Sequence, residues 1–273
     1  MAVHTQFLTR PEGRLGYDVR GAGPLVVSVP GVGDLRSSYR FLAPVLADAG
    51  FRVATVDLRG HGDSDTTFTD YGDAATGDDI VALIRELGGG PAVVIGNSLG
   101  AAAAVWAAAH EPDLVSAIVM LGPFVRDAPT TPLTRILMAV ALRRPWGAAA
   151  WGAYYRSLNA GIRPTDLADH VARIRTALRR PGAWSAFLRT IQTSHAPVTP
   201  LLANVSAPVL VMMGERDPDF TDPRAEADFI AGALGGGPAE VVMVADAGHY
   251  PQAQRPDVTG PAVAAFLATV RGA

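Results

Sequence analysis

Two stretches of opposite character meet at a five-residue turn. The apolar run Ala92-Val93-Val94-Ile95 enters Gly96-Asn97-Ser98-Leu99-Gly100, and the alanine-rich run Ala101-Ala102-Ala103-Ala104-Val105-Trp106 follows without a gap. The first run reads as a strand buried on both faces and the second as a helix. A strand that passes straight into a helix through two glycines must turn sharply. The turn lifts the Ser98 hydroxyl above the sheet edge, and the small residues behind it let the helix pack closely on the strand. A chain built around such a unit needs a buried, largely parallel sheet with helices on its faces.

The rest of the sequence supplies that sheet. Leu15–Val19 alternates like a half-exposed strand, and the turn Arg20-Gly21-Ala22-Gly23-Pro24 leads to a second strand, Leu25–Val29. Helical spacing from Ser37 to Ala49 stops at Gly50, a strand follows over Arg52–Asp57, and a helix over Ala75–Leu87. After the elbow, the helix runs to His110 and a strand covers Ala117–Leu121. This alternation predicts a doubly wound, mostly parallel α/β sheet. Between Phe124 and Asn204 it stops. Four amphipathic stretches, 132–143, 145–158, 165–179 and 182–193, are separated by Pro145, Pro164 and Pro181. An all-helical insertion at this point lies above the Ser98 edge, as a cap. Strand and helix resume at Pro208 and end in a helix over Val258–Val270. The expected organisation is a core of residues 1–124 and 205–273 with a helical cap of residues 125–204.

Ser98 sits in a G-x-S-x-G motif whose strand and helix context is that of a nucleophile elbow. Asp217 closes the strand Pro208–Met213 in the turn Gly214-Glu215-Arg216-Asp217, and His249 closes Val241–Val244 in Ala245-Asp246-Ala247-Gly248-His249. All three lie just past the C-terminal end of a predicted strand, where open parallel sheets place reactive groups. A serine hydroxyl is a weak nucleophile, and a histidine oriented by a carboxylate is what activates it.

In this order of Ser, Asp and His the chain resembles the α/β-hydrolase superfamily from about Gly16 to Arg271, in its serine-nucleophile, esterase- or lipase-like branch with a helical cap. The resemblance implies Ser98 as nucleophile, His249 as base, Asp217 as the orienting acid, and cleavage of an ester, lactone or thioester without cofactor or metal. Asp219 and Asp222 compete with Asp217, which alone stands three residues after the glycine ending its strand; Asp219 reads as a solvated or helix-capping turn carboxylate. An oxyanion hole is implied at the backbone N–H groups of Leu99 and Val32. Where relatives often read H-G-x-x, this chain reads Pro30-Gly31-Val32-Gly33-Asp34, so the side chain that supports the loop in relatives is missing. His61, in Asp57-Leu58-Arg59-Gly60-His61-Gly62-Asp63-Ser64, is the one rival histidine and reads as packing beneath the pocket. Asp34, Trp146, Trp151, Tyr154 and Trp184 are the candidate pocket residues.

Composition removes other chemistries. The chain has no cysteine, and all 23 basic residues are arginine. Thiolate catalysis, Schiff bases and a P-loop lysine are thereby excluded. No run approaches the roughly 18 apolar residues of a membrane span. The start lacks the basic and apolar regions of a secretory signal, so a cytoplasmic location is expected. The expected partner is a small-molecule substrate, not nucleic acid. From Arg126 to Pro200 there are eleven arginines against three aspartates, in a chain of net charge −3. Such a cap either presents a solvated face or steers an anionic or carrier-bound substrate.

Other readings stay open at this stage. Gly31-Val32-Gly33-Asp34-Leu35-Arg36 half-matches a dinucleotide fingerprint with Asp57 as the ribose acid, although Arg36 fills the third glycine position. A slow-turnover receptor, a carbon–carbon bond hydrolase and a cofactor-free perhydrolase are all compatible with the same triad.

Overall fold

A computed structural model describes residues 4–88, 90–127 and 131–271; residues 1–3, 89, 128–130 and 272–273, inside the expected core and cap spans, lie outside the described residues. In chain order the elements are β1 (Gln6–Arg10), β2 (Gly13–Arg20), β3 (Leu25–Val29), α1 (Leu42–Asp48), β4 (Arg52–Val56), α2 (Asp73–Glu86), β5 (Ala92–Asn97) and α3 (Leu99–His110). They continue with β6 (Val115–Leu121), α4 (Pro132–Ala141), α5 (Gly147–Leu158), α6 (Leu167–Ala177) and α7 (Ala183–Thr190). The last are β7 (Val209–Gly214), α8 (Pro223–Ala233), β8 (Ala239–Val244), α9 (Pro251–Gln254) and α10 (Pro256–Arg271).

The eight strands form one sheet in the order β1-β2-β4-β3-β5-β6-β7-β8. Pairing is antiparallel from β1 to β2 and from β2 to β4, and parallel from β4 onward. The apolar runs now have a reason. In β3, Leu25, Val27 and Val29 face one core cluster while Val26 faces the other, and β5, β6 and β7 divide their side chains the same way. One face is covered by α2, α3 and α8, the other by α1 and α10. Strands buried on both faces cannot show a polar alternation.

The expected helix over Ser37–Ala49 is divided into a 3₁₀ turn, Arg36–Tyr39, and α1. Tyr39 is fully buried and its hydroxyl donates to the Val29 carbonyl at 2.6 Å, which pulls this turn against β3 and offsets it from the helix. The first strand, β1, is not signalled by the sequence. It is an edge strand in which only Leu8 is buried, opposite Leu15 of β2.

Between β6 and β7 the chain forms α4 to α7, the inserted helical cap. Its interior is a separate apolar cluster that includes Trp151, Tyr155, Val171, Ile174, Trp184 and Phe187. Ion pairs fasten it to the core: Arg40 to Asp166 at 2.6 Å and Arg126 to Glu226 at 2.5 Å. Within this segment α5 packs on the loops that follow β3 and β8, through Trp151 to Gly33 O and the His249 N–H to Leu158 O.

Candidate active site

Ser98 joins β5 to α3 with φ 54° and ψ −121°, a backbone conformation that costs a non-glycine residue roughly 1–3 kcal/mol. The surroundings leave it no alternative. A side chain at Gly96 would come within 2.2 Å of the Gly100 carbonyl carbon, and one at Gly100 within 2.3 Å of the Val29 oxygen. The strand and helix thus approach more closely than any larger residue permits. Gly31 of the preceding loop is equally close, since a Cβ there would lie 2.7 Å from the Ser98 Cβ. The Ser98 N–H donates to Leu121 O at 3.1 Å, and the buried Asn97 amide donates to Leu121 O at 2.7 Å and to His249 O at 3.0 Å. Asn97 therefore ties the elbow to the histidine loop, a role for which the sequence carries no signal.

Asp217 and His249 are brought together from the ends of β7 and β8. His249 Nδ1 donates to Asp217 Oδ2 at 2.8 Å, and both side chains are buried. Burial alone lowers the basicity of the imidazole, but the charge and hydrogen bond of Asp217 outweigh it and the pKa is pushed up to about 9. The loop is fixed from the cap side: the His249 N–H donates to Leu158 O at 2.9 Å. Gln254 accepts from the N–H groups of Gly248 and Tyr250 and donates to Ala160 O and Ile162 O.

Asp219 is neither solvated nor a helix cap, contrary to the sequence expectation. Asp222 caps α8 by accepting from the Ala225 N–H at 3.0 Å. Asp219 turns inward, lies 3.8 Å from His249 Nδ1 and accepts a hydrogen bond from the Tyr154 hydroxyl of α5. Burial pushes its pKa up, against the pull of His249. Asp217, Asp219 and His249 are the one group of three potential metal ligands found among the described residues. The Asp217–His249 hydrogen bond already occupies the imidazole Nδ1 of that set.

The loop bearing Val32 is pinned from two sides. His61 Nε2 accepts from the Gly33 N–H at 3.1 Å while His61 Nδ1 lies 2.9 Å from Arg59 O, and burial lowers the pKa of this imidazole. From the cap, Trp151 Nε1 donates to Gly33 O at 3.0 Å. These contacts supply the support that Pro30 cannot. Leu99 opens α3, where backbone N–H groups have no intrahelical partner.

The candidate pocket residues separate into different roles. Trp184 lines a cavity of about 920 Å³ with Phe124, Leu142, Leu188, Ile191 and His195. Trp151 does not; it is buried against the Gly33 loop. Asp34 is also no pocket residue, being fully buried and held by His170 Nε2 at 2.7 Å and the Tyr155 hydroxyl at 2.9 Å. Burial raises the Asp34 pKa, but His170 outweighs it and the net shift is downward. Tyr154 holds Asp219, and Trp146 is half exposed with its N–H on Val140 O. Aromatic side chains in a helical cap pack its interior before they line anything. Phe124 is part of the cavity wall and also packs beside His249: the two ring centres are 5.7 Å apart, and the Phe124 N–H donates to Ser98 O at 3.4 Å.

Asp57 is not free to hold a ribose. It is buried, accepts from the Arg36 N–H at 2.7 Å and the Asp63 N–H at 3.0 Å, and pairs with the Arg36 guanidinium. Arg36, in the third glycine position of the half-matched fingerprint, is the hub of an ion cluster with Asp18, Asp57 and Asp63.

The profile of the α/β hydrolase fold matches residues 24–256. The chain belongs to this family. It is 31% identical over 271 residues to a 2-(acetamidomethylene)succinate hydrolase of Mesorhizobium japonicum, covering 93% of this chain and 92% of that one. A thermophilic esterase from Thermogutta terrifontis superposes with a TM-score of 0.78 at 25% identity, covering 99% of both chains. The enol-lactonase from Burkholderia xenovorans shares the fold, with a TM-score of 0.76 at 23% identity, covering 96% of this chain and 100% of that one. The protein is a hydrolase of this family. Among the described residues, no helix is long and apolar enough to cross a membrane.

Proposed function

We propose that this hydrolase cleaves an ester-type bond, in an ester, lactone or thioester, of a small organic substrate through a covalent acyl-enzyme on Ser98. The observation that carries the reading is the strained Ser98 turn, tied through Asn97 to the loop of a buried histidine whose Nδ1 is held by a carboxylate. His249 Nε2 takes the Ser98 proton as Oγ attacks the carbonyl carbon, and Asp217 stabilises the imidazolium. The N–H groups of Leu99 and Val32 receive the negative oxygen. The proton then passes from His249 to the leaving oxygen or sulfur as that bond breaks, and water releases the acyl group by the reverse sequence. The clamps on the Gly33 loop support this assignment, because an oxyanion hole acts through preorganised donors. The relative named for 2-(acetamidomethylene)succinate supports a small organic substrate here.

A panel of p-nitrophenyl esters, aliphatic lactones and acyl thioesters tests the bond type. Turnover of at least one class is expected, with loss of roughly three orders of magnitude or more in Ser98→Ala. Turnover confined to carbon–carbon or epoxide substrates contradicts the proposal.

A further inference from the structure

The cavity contains a second buried pair wired like the first. His195 Nδ1 lies 2.8 Å from Asp73 Oδ2, and the Asp73 side chain is 3% exposed against 16% for His195. Among the described residues no protein group engages His195 Nε2, and the ring forms part of the cavity wall. The same Phe124 ring that touches His249 stacks on His195 at 5.9 Å between centres. Both imidazoles thus pack against one phenyl ring, within a small molecule's length of each other.

The charges around this second pair point to its ligand. Arg143 and Arg144 line the same cavity, and among the described residues neither is paired with a carboxylate. Arg144 and Trp184 also line a cavity of about 350 Å³ together with Arg175 and Arg179, and no carboxylate lines it among the described residues. Asp127 also borders the large cavity; its oxygens accept from the His195 N–H at 2.7 Å and the Ser194 hydroxyl at 2.6 Å. Asp127 is thus tied to the 194–195 segment, and Arg143, Arg144 and the His195 ring complete this end of the cavity. The other walls of this cavity include Phe124, Leu142, Trp184, Leu188 and Ile191.

We propose that His195, held by Asp73, forms with Arg143 and Arg144 the anion-binding end of the substrate cavity, selecting acyl groups that terminate in a carboxylate. The apolar walls take the methylene chain, and the scissile carbonyl reaches Ser98. Arg143 and Arg144 pair with the substrate carboxylate, and the His195 ring, fixed through Nδ1 by Asp73, forms the wall beside it. His195 is a specificity residue here and takes no part in bond cleavage. The inference rests on the acyl-enzyme reading of the same cavity.

The test compares the p-nitrophenyl monoester of adipic acid with p-nitrophenyl hexanoate, its uncharged counterpart of equal chain length. Wild-type kcat/KM is expected to favour the adipate ester by about tenfold or more. His195→Gln and the double variant Arg143→Ala/Arg144→Ala are each expected to lower that ratio by about tenfold, through KM more than kcat. A wild type that prefers hexanoate, or a ratio that neither variant moves, overturns the proposal. Calorimetric binding of adipate and hexanoate to Ser98→Ala separates the two levels of the account. Adipate binding tighter than hexanoate, without turnover of either ester by the wild type, preserves the anion site and refutes the acyl-enzyme. Turnover without discrimination in either assay does the opposite.

Discussion

At the scale of single residues, the account turns on which of two carboxylates governs His249. Asp217 is hydrogen-bonded to Nδ1, whereas Asp219 stands 3.8 Å off and is shared with Tyr154. Asp217→Asn is expected to lower kcat by roughly three to four orders of magnitude through the wrong tautomer, and Asp219→Asn by about tenfold or less. The pH profile gives the sign. Only neutral His249 accepts a proton, and its pKa is raised to about 9, so kcat/KM must climb with pH on a limb lying above the ordinary histidine value. Asp217→Asn removes the main stabiliser of the imidazolium and shifts that limb to lower pH. Equal rate losses in both variants, or an unshifted limb, would show that the acid is misassigned. Ser98, Asp217 and His249 are legible in the sequence because each follows an apolar run ending in a turn. Asn97, Gln254 and the Asp219–Tyr154 contact are not, because a hydrogen bond between distant segments leaves no local pattern.

At the scale of elements, the contact of β5 with α3 explains why glycines recur around Ser98. A methyl group at Gly100 would lie 2.3 Å from the Val29 oxygen, so either β3 or α3 must give way. Gly100→Ala is expected to destabilise the fold by about 1–3 kcal/mol, the usual penalty of overpacking. Denaturant unfolding measures it, and a stability equal to wild type would mean the helix is less tightly seated than described. The same scale shows where sequence patterns lose their grip. The central strands are legible because β3, β5, β6 and β7 are apolar on both faces. Edge strand β1 buries one side chain of five and leaves almost no periodicity, and the turn at Arg36–Tyr39 depends on the distant acceptor for Tyr39. The four cap helices are readable from amphipathic spacing and prolines, yet what their aromatic residues touch is decided by the layer beneath them.

At the scale of the whole molecule, the positive cap divides into arginines that fasten it and arginines left for a ligand. Arg126 pairs with Glu226, and Arg180 donates to Ser64 O at 2.6 Å. Reversing Arg180 would therefore loosen the cap as well as alter its field, and long-range steering cannot be tested there. Arg143 and Arg144 have no such duty among the described residues, and they line the cavity whose wall includes Phe124, a neighbour of His249. On the proposed function, the sheet sets the reactive groups at its C-terminal edge, where α5 packs on their loops. The central claim is that this edge carries one activated serine. Treatment of the native protein with a fluorophosphonate, read by intact mass and peptide mapping, tests it most directly: one adduct per chain on Ser98, absent from Ser98→Ala, is the result predicted, whereas an adduct on another residue, or equal labelling of the variant, would contradict the account.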